Sequence, residues 1–271
     1  MSAGKPRPLD FKVTGRDDRP AVLFLHGFLG SRSDWAGVAD SLGDGFRCVA
    51  VDLPGHGSSV GLPGKAYTIE GAANGLVDLL DLLEVGRARL VGYSMGGRLA
   101  LYLALRHPDR CAGLFLESVS PGIEDAAGRR ARRKDDEKKA QRLESEDFED
   151  FLSDWYGQPL FAPLARDEAL LRRTIEARRR NDPPELARSL RGMGTGSQPS
   201  LWDELPNLEA STLAIAGELD EKFAGISTYM ENLSPLVQAV VVPDAGHNVH
   251  DEAPTEYLAS LRGFLEVPPT D

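Results

Sequence analysis

Val91-Gly92-Tyr93-Ser94-Met95-Gly96-Gly97 decides the fold. The apolar run before it, Ala88-Arg89-Leu90-Val91, reads as a buried strand. The run after it, Arg98-Leu99-Ala100-Leu101-Tyr102-Leu103-Ala104-Leu105, reads as a helix. Gly92-Tyr93-Ser94-Met95-Gly96 therefore matches G-x-S-x-G in the context that motif requires: strand, sharp turn, helix. Glycines on either side of Ser94 permit a turn tight enough to hold the serine in a strained conformation, its hydroxyl exposed. The helix start just beyond offers backbone N–H groups and a positive dipole end to an oxyanion.

Working outward, Ala21-Val22-Leu23-Phe24-Leu25 is too continuously apolar to have a wet face, so it belongs in a sheet covered on both sides. It runs into the glycine-punctuated loop His26-Gly27-Phe28-Leu29-Gly30, at the strand end where open parallel sheets bind ligands. Phe11-Lys12-Val13 is a candidate edge strand. The spacing after Asp34-Trp35 predicts a helix to about Leu42. Arg47–Leu53 and Ala112–Ser118 are further strands, and Thr68 is placed to cap a helix through Leu76, Leu79, Leu80 and Leu83. Strands alternating with helices, without hairpin signals, mean parallel βαβ units. The pattern changes at Ser120-Pro121-Gly122. From 124 to 205 no strand is legible, and four helices are predicted at about 124–143, 147–156, 166–180 and 184–192. Strands resume at Ser211–Gly217 and Ala239–Val242, and a helix over roughly 251–265 closes the chain. The expected architecture is a mostly parallel sheet with helices on both faces, residues 1–120 and 206–271, carrying an inserted helical cap, residues 121–205.

The chain has 271 residues, 41% hydrophobic and 27% charged, ordinary for a globular enzyme. A net charge of −11 argues against nucleic-acid binding, and clustered arginines must supply any site for anions. Cys48 and Cys111 lie in or beside apolar runs and read as small buried hydrophobes; two thiols without a cysteine framework fit a reducing compartment. The opening residues, Met1–Pro8, lack an apolar signal region, and no run approaches the ~20 apolar residues of a membrane span. The expectation is a cytoplasmic enzyme without membrane or nucleic-acid partners, monomeric or weakly dimeric, using no metal and no cofactor.

A serine hydroxyl is a poor nucleophile and a poor base until a histidine takes its proton, and that histidine needs a carboxylate to fix its tautomer. In strand–elbow–helix enzymes the order is serine, acid, histidine. His247 follows Val240-Val241-Val242-Pro243-Asp244-Ala245-Gly246, just past a strand end. His107 falls at a helix end, and His250 reads as a packing or surface residue. In Gly217-Glu218-Leu219-Asp220, Asp220 lies past the turn that Gly217 permits and is preferred over Glu218. The oxyanion hole is expected from the N–H groups of Met95 and Phe28. His26 and His56 read as loop braces, with Asp52 as the neighbour of His56.

Arg98 lies one helical turn beyond Ser94, on a helix that should be core-packed. It either pairs with a core carboxylate such as Glu117 or faces an anionic substrate. The cap adds Arg129, Arg130, Arg132 and Arg133 on one helix and Arg172, Arg173, Arg178, Arg179 and Arg180 on another. Most must be solvated, where an ion pair is worth ~0–1 kcal/mol. A desolvated arginine facing a carboxylate is worth ~1.5–3 kcal/mol per hydrogen bond. A substrate with more than one carboxylate is implied. Trp155-Tyr156 lines either the pocket roof or the cap core.

Four stretches resemble the α/β-hydrolase superfamily: Leu25–Gly30, Asp52–Ser58, Gly92–Arg98 and Gly246–His250. Others are narrower: Leu116–Gly122, Trp155-Tyr156 with Pro159-Leu160-Phe161, Gly217–Phe223, and above all Leu190-Arg191-Gly192-Met193-Gly194-Thr195-Gly196-Ser197-Gln198-Pro199-Ser200-Leu201-Trp202. Together, over roughly residues 20–260, they are similar to the 2-succinyl-6-hydroxy-2,4-cyclohexadiene-1-carboxylate (SHCHC) synthases of menaquinone biosynthesis. The resemblance implies an α/β-hydrolase fold and a lyase that eliminates pyruvate from 2-succinyl-5-enolpyruvyl-6-hydroxy-3-cyclohexene-1-carboxylate, a tricarboxylate. It implies a triad of Ser94, Asp220 and His247, with Ser94 as the base. By position, Arg98, Arg132 and Arg178 match the family's substrate-binding arginines, with Arg133, Arg179 and Arg180 as the alternative choices in the cap. Tyr93 and Trp155 match its pocket aromatics. The competing readings are a serine hydrolase acting on an ester or carbon–carbon bond and a binding protein that has lost catalysis.

Overall fold

The computed structural model describes residues 9–267. In chain order its strands and helices are β1 (Phe11–Thr14), β2 (Ala21–Leu25), α1 (Ala36–Leu42), β3 (Arg47–Val51), α2 (Ile69–Leu82), β4 (Ala88–Tyr93), α3 (Met95–Arg106), β5 (Cys111–Glu117), α4 (Ala126–Ser145), α5 (Phe148–Tyr156), α6 (Glu168–Arg178), α7 (Pro183–Met193), β6 (Thr212–Gly217), α8 (Glu221–Leu233), β7 (Val237–Val242), α9 (Val249–Glu252) and α10 (Pro254–Glu266). The strands form one sheet in the order β1-β3-β2-β4-β5-β6-β7, parallel throughout except for β1 at the edge. This is the α/β architecture expected from the alternation of apolar runs and helical spacing.

Why the central strands read as unbroken apolar runs is plain from their packing. One core lies between the sheet and the α2, α3 and α8 side, with Leu23, Leu25, Leu76, Leu90 and Leu99 buried in it. A second covers the opposite face, where Val22, Phe24, Val91 and Phe115 meet Trp35, Tyr257 and Leu261. Alternate residues of β2 and β4 thus enter opposite cores, and both must be apolar. Cys48 and Cys111 are buried and free, and burial pushes their thiols up to about 11 and about 12.

Between β5 and β6 every described helix or strand is helical. Each of α4 to α7 opens on an aspartate, Asp125, Asp147, Asp167 or Asp182, whose carboxylate accepts an N–H of the first turn. Such a cap is worth about 1 kcal/mol. A third apolar cluster holds these helices together: Leu143, Phe151, Tyr156, Phe161, Leu164 and Leu186, with Leu29 reaching up from the core loop. The chain's end departs from the single expected helix. Pro254 cannot continue a helical hydrogen-bond ladder, so α9 stops at Glu252 and α10 starts afresh with the proline in its first turn.

The register Leu25↔Gly92 and Tyr93↔Glu117 brings the ends of β2, β4 and β5 level. Ser94 sits at the junction of β4 and α3 with φ 48° and ψ −106°, a conformation L residues rarely adopt. The turn closes so tightly that a Cβ on Gly96 would lie 2.2 Å from the Leu25 carbonyl oxygen, and one on Gly97 2.2 Å from a Val119 methyl. Gly96→Ala should therefore cost at least about 1–3 kcal/mol through forced overpacking against backbone. Thermal unfolding of the variant should show a lowered midpoint; an unchanged midpoint would contradict the close approach.

Candidate active site

The ends of β4, β6 and β7 deliver three side chains to one place. Asp220, past the end of β6, caps α8 through the Phe223 N–H and presents Oδ2 to His247 Nδ1 at 2.6 Å. His247 Nε2 lies 3.3 Å from Ser94 Oγ. With Nδ1–H donating to the carboxylate, Nε2 is left as the acceptor for the serine hydroxyl. Asp220 and His247 are buried, whereas Ser94 is only partly so. Glu218, the rejected acid, is exposed and accepts the Asp244 N–H instead.

The loop after β2 faces the same point. Gly27 presses against the Tyr93 ring, where a Cβ would come within 2.6 Å, and the Gly30 N–H donates to the Gly27 carbonyl at 3.0 Å. Phe28 and Met95 both line the cavity above Ser94. Met95 is the first residue of α3, so its N–H has no acceptor within the helix. His26 and His56 brace this loop: His26 Nε2 accepts the Leu53 N–H and His56 Nε2 accepts the Leu29 N–H. Burial lowers the proton affinity of both, which keeps them neutral acceptors. Asp52 is not the hydrogen-bonding neighbour of His56 that the sequence suggested. It accepts from the Arg32 backbone and guanidinium and from the Ser58 N–H, because its loop turns it towards the start of α1.

A cavity of about 830 Å³ opens over Ser94 and His247. Tyr93, Trp155, Tyr156 and Phe161 form much of its apolar lining. Trp155 packs tilted against Phe28, with ring centroids 5.2 Å apart, and stacks on Phe151 in the cap cluster, so it serves cavity and cap core together. Tyr93 is buried and donates its hydroxyl to Asn248 Oδ1; burial, then Glu117, holds its phenol well above the usual range.

Three arginines reach the cavity wall, each in a different electrostatic state. Arg98 is 9% exposed and donates to the Met193 carbonyl at 2.9 Å and to Gln198 Oε1 at 2.6 Å. Among the described residues no carboxylate lies within salt-bridge distance of it. Glu117, its expected alternative partner, is taken by His250. Burial first, then the neighbouring Arg132, pushes Arg98 down to about 10 against the opposing charge of Asp136, so it stays charged at neutral pH without a salt-bridged counterion. Arg132 is paired with Asp136 at 2.7 Å and is 38% exposed at its side chain. Arg178 is buried against Asp34 at 2.6 Å and donates to the Tyr156 hydroxyl at 3.0 Å. Against the opposing effect of burial, Asp34 raises its proton affinity, so its charge is cancelled within the protein. Arg130, Arg133, Arg172, Arg173, Arg179 and Arg180 are exposed.

Two contributors had no distinctive sequence signal. Asp34 reads as the partner of Ser31 in a capping box, a role it also fills, and nothing local shows that Arg178 from the distant α6 will join it. Asn181 ties the same region to two core loops, donating to the Leu29 carbonyl at 2.7 Å and accepting the Gly57 N–H at 2.9 Å. Among the described residues no cluster of metal-ligating side chains occurs, and no helix is long and apolar enough to cross a membrane.

A serine on a strand–helix elbow, facing a histidine and an aspartate from later strand ends, is the site architecture of α/β hydrolases, and a family profile described as the alpha/beta hydrolase fold matches residues 20–254. A Bacillus subtilis (strain 168) protein is 38% identical over 93% of this chain and 92% of its own length. The 2-succinyl-6-hydroxy-2,4-cyclohexadiene-1-carboxylate synthase of Enterobacter sp. (strain 638) is 34% identical, over 93% of this chain and 94% of its own. The solved structure of MenH from S. aureus superposes with a TM-score of 0.90 at 32% identity, covering 94% of this chain and 97% of that one. The chain belongs to the α/β-hydrolase fold family and, within it, to the SHCHC synthases, which are lyases.

Behind the site lies a buried ion pair. Of the packing and surface readings of His250 the structure bears out the first: it is buried and its ring stacks on Trp35, with Nδ1 2.8 Å from Glu117. Burial opposes its protonation, but Glu117 and then Asp251 overcome this and push it up to about 9 from the ordinary histidine value of 6.5. A histidine raised on folding contributes stability that is complete below pH 6.5 and is lost as pH rises through 9. Urea midpoints should therefore fall between pH 6 and pH 9 (roughly the interval between unfolded and folded values) in the wild type. The double variant Glu117→Gln/His250→Gln should show a smaller fall; an equal fall would remove this pair as the cause.

Proposed function

We propose that this protein eliminates pyruvate from 2-succinyl-5-enolpyruvyl-6-hydroxy-3-cyclohexene-1-carboxylate, with Ser94, His247 and Asp220 acting as a proton-relay triad. The observation that carries this reading is Arg98: a buried guanidinium without a carboxylate partner, on the wall of the cavity that holds Ser94. A neutral ester would leave that charge uncompensated, at a cost of several kcal/mol. A substrate carboxylate satisfies it, and Arg132 beside it suits a second one.

In this mechanism the Ser94 hydroxyl gives its proton to His247 Nε2 as its oxygen removes the acidic ring proton. Asp220 stabilises the imidazolium that forms. The electron pair moves into the ring and towards the succinyl ketone, whose developing enolate oxygen is received by the N–H groups of Met95 and Phe28. The carbon–oxygen bond to the enolpyruvyl group then breaks, and enolpyruvate leaves with the bonding pair, taking the proton held on His247 to become pyruvate and restore the neutral imidazole. Proton transfer and bond cleavage balance without an electron donor. Arg178 shapes the cavity with its charge already matched by Asp34, and Tyr93 and Trp155 present the apolar faces between which the ring lies.

Pyruvate release, followed by coupling to lactate dehydrogenase, tests the reading directly. Rapid release by the wild type should fall by at least ~10³ in Ser94→Ala. Release no faster than the spontaneous rate, together with hydrolysis of simple esters, would favour a serine hydrolase instead. Arg98→Met should fold and lose about 10- to 100-fold in kcat/KM, the equivalent of one charge-assisted interaction. Undiminished kcat/KM would remove Arg98 from substrate binding.

A further inference from the structure

A relay through His247 requires its backbone to be fixed as well as its ring. Asp220 fixes the ring. The Ser118 hydroxyl donates to the His247 carbonyl at 2.8 Å. The two N–H groups flanking His247 share a single acceptor. Glu252, the last residue of α9, accepts the Gly246 N–H on Oε2 at 2.8 Å and the Asn248 N–H on Oε1 at 2.9 Å. We propose that Glu252 is a positioning residue for His247: its carboxylate clamps the loop on both sides of the histidine and holds Nε2 on Ser94.

Three features support the clamp. Each oxygen takes one N–H, so the function needs two acceptors on one group, which only a carboxylate supplies. The loop has no slack, because a Cβ on Gly246 would lie 2.7 Å from Pro163 and 2.8 Å from Glu252 Oε2. The carboxylate is also costly where it stands. Burial raises its proton affinity, and among the described residues no lysine or arginine lies within salt-bridge distance of it. A glutamine would avoid that cost, yet would point its NH₂ at one of the two donors.

The proposal rests on the Ser94–His247 relay and not on the identity of the substrate, so two readouts are used. For Glu252→Gln and Glu252→Ala, kcat and KM for pyruvate release are measured beside the rate at which a fluorophosphonate modifies Ser94. The downfield proton resonance of the His247 Nδ1–H is recorded on the same samples. The expected result is a kcat lower by about 10- to 100-fold with KM little changed, a matching slowing of phosphonylation, and a broadened or lost resonance. Slowed phosphonylation in a protein that releases no pyruvate even as wild type would uphold the clamp while removing the lyase reading. Normal phosphonylation and an unchanged resonance would overturn the clamp, even if the melting temperature fell. Should neither variant fold, Glu252→Asp, which keeps both acceptors on a shorter arm, decides by the same two readouts: slowed labelling supports the clamp, and wild-type labelling overturns it.

Discussion

Everything in this protein is arranged around a backbone contact, the approach of the start of α3 to the end of β2 at Gly96. The Leu25 carbonyl occupies the volume that any side chain there would need. That contact lets β4 turn into α3 within one residue and forces Ser94 into a left-handed conformation with its hydroxyl outward. Because β2, β4 and β5 end level with one another, the loop carrying Phe28 and the strand end carrying Glu117 arrive at the same height. The serine's surroundings follow from strand register rather than from local sequence.

Electrostatics divides the buried charges into those the protein satisfies itself and those it leaves open. Arg178 with Asp34 and His250 with Glu117 are closed pairs, and single removal of either partner would strand a charge in the interior. His26 and His56 are kept neutral by burial: Nε2 of each accepts a backbone N–H, and Nδ1 donates to a backbone carbonyl. Arg98 is the exception: it has hydrogen bonds but no carboxylate in a salt bridge, Asp136 acting on it only from further off. Identical residue types thus do different work according to what lies within 4 Å of them, and sequence position alone does not reveal it.

The sheet was legible because a strand buried on both faces has to be written as an unbroken apolar run, as Ala21–Leu25 and Thr212–Gly217 are. The helices between β5 and β6 were legible from charge and spacing; their starts, at Asp125, Asp147, Asp167 and Asp182, were set by aspartate caps that the sequence reading did not use. That Asp220 and His247 sit beside Ser94 could be read because the motif gives their order and the strand ends give their places. Partners across long sequence distances were not legible. Nothing near Asp52 points to Arg32 rather than His56, and nothing near Glu117 points to His250 rather than Arg98, because tertiary packing makes those choices. The break at Pro254 is different: the proline was visible, and a helix drawn through it disregarded its missing N–H.

The guanidinium of Arg98, buried without a salt-bridge partner, has a thermodynamic corollary. A cation held out of water without a counterion makes the empty protein less stable than an otherwise similar protein with an apolar residue there. An anion that occupies the cavity returns that free energy, so binding and folding draw on the same reservoir, and ligand occupancy strengthens the fold itself. If the cavity takes the anionic substrate proposed above, selection for stability alone would erase this arginine, and its presence trades robustness for binding.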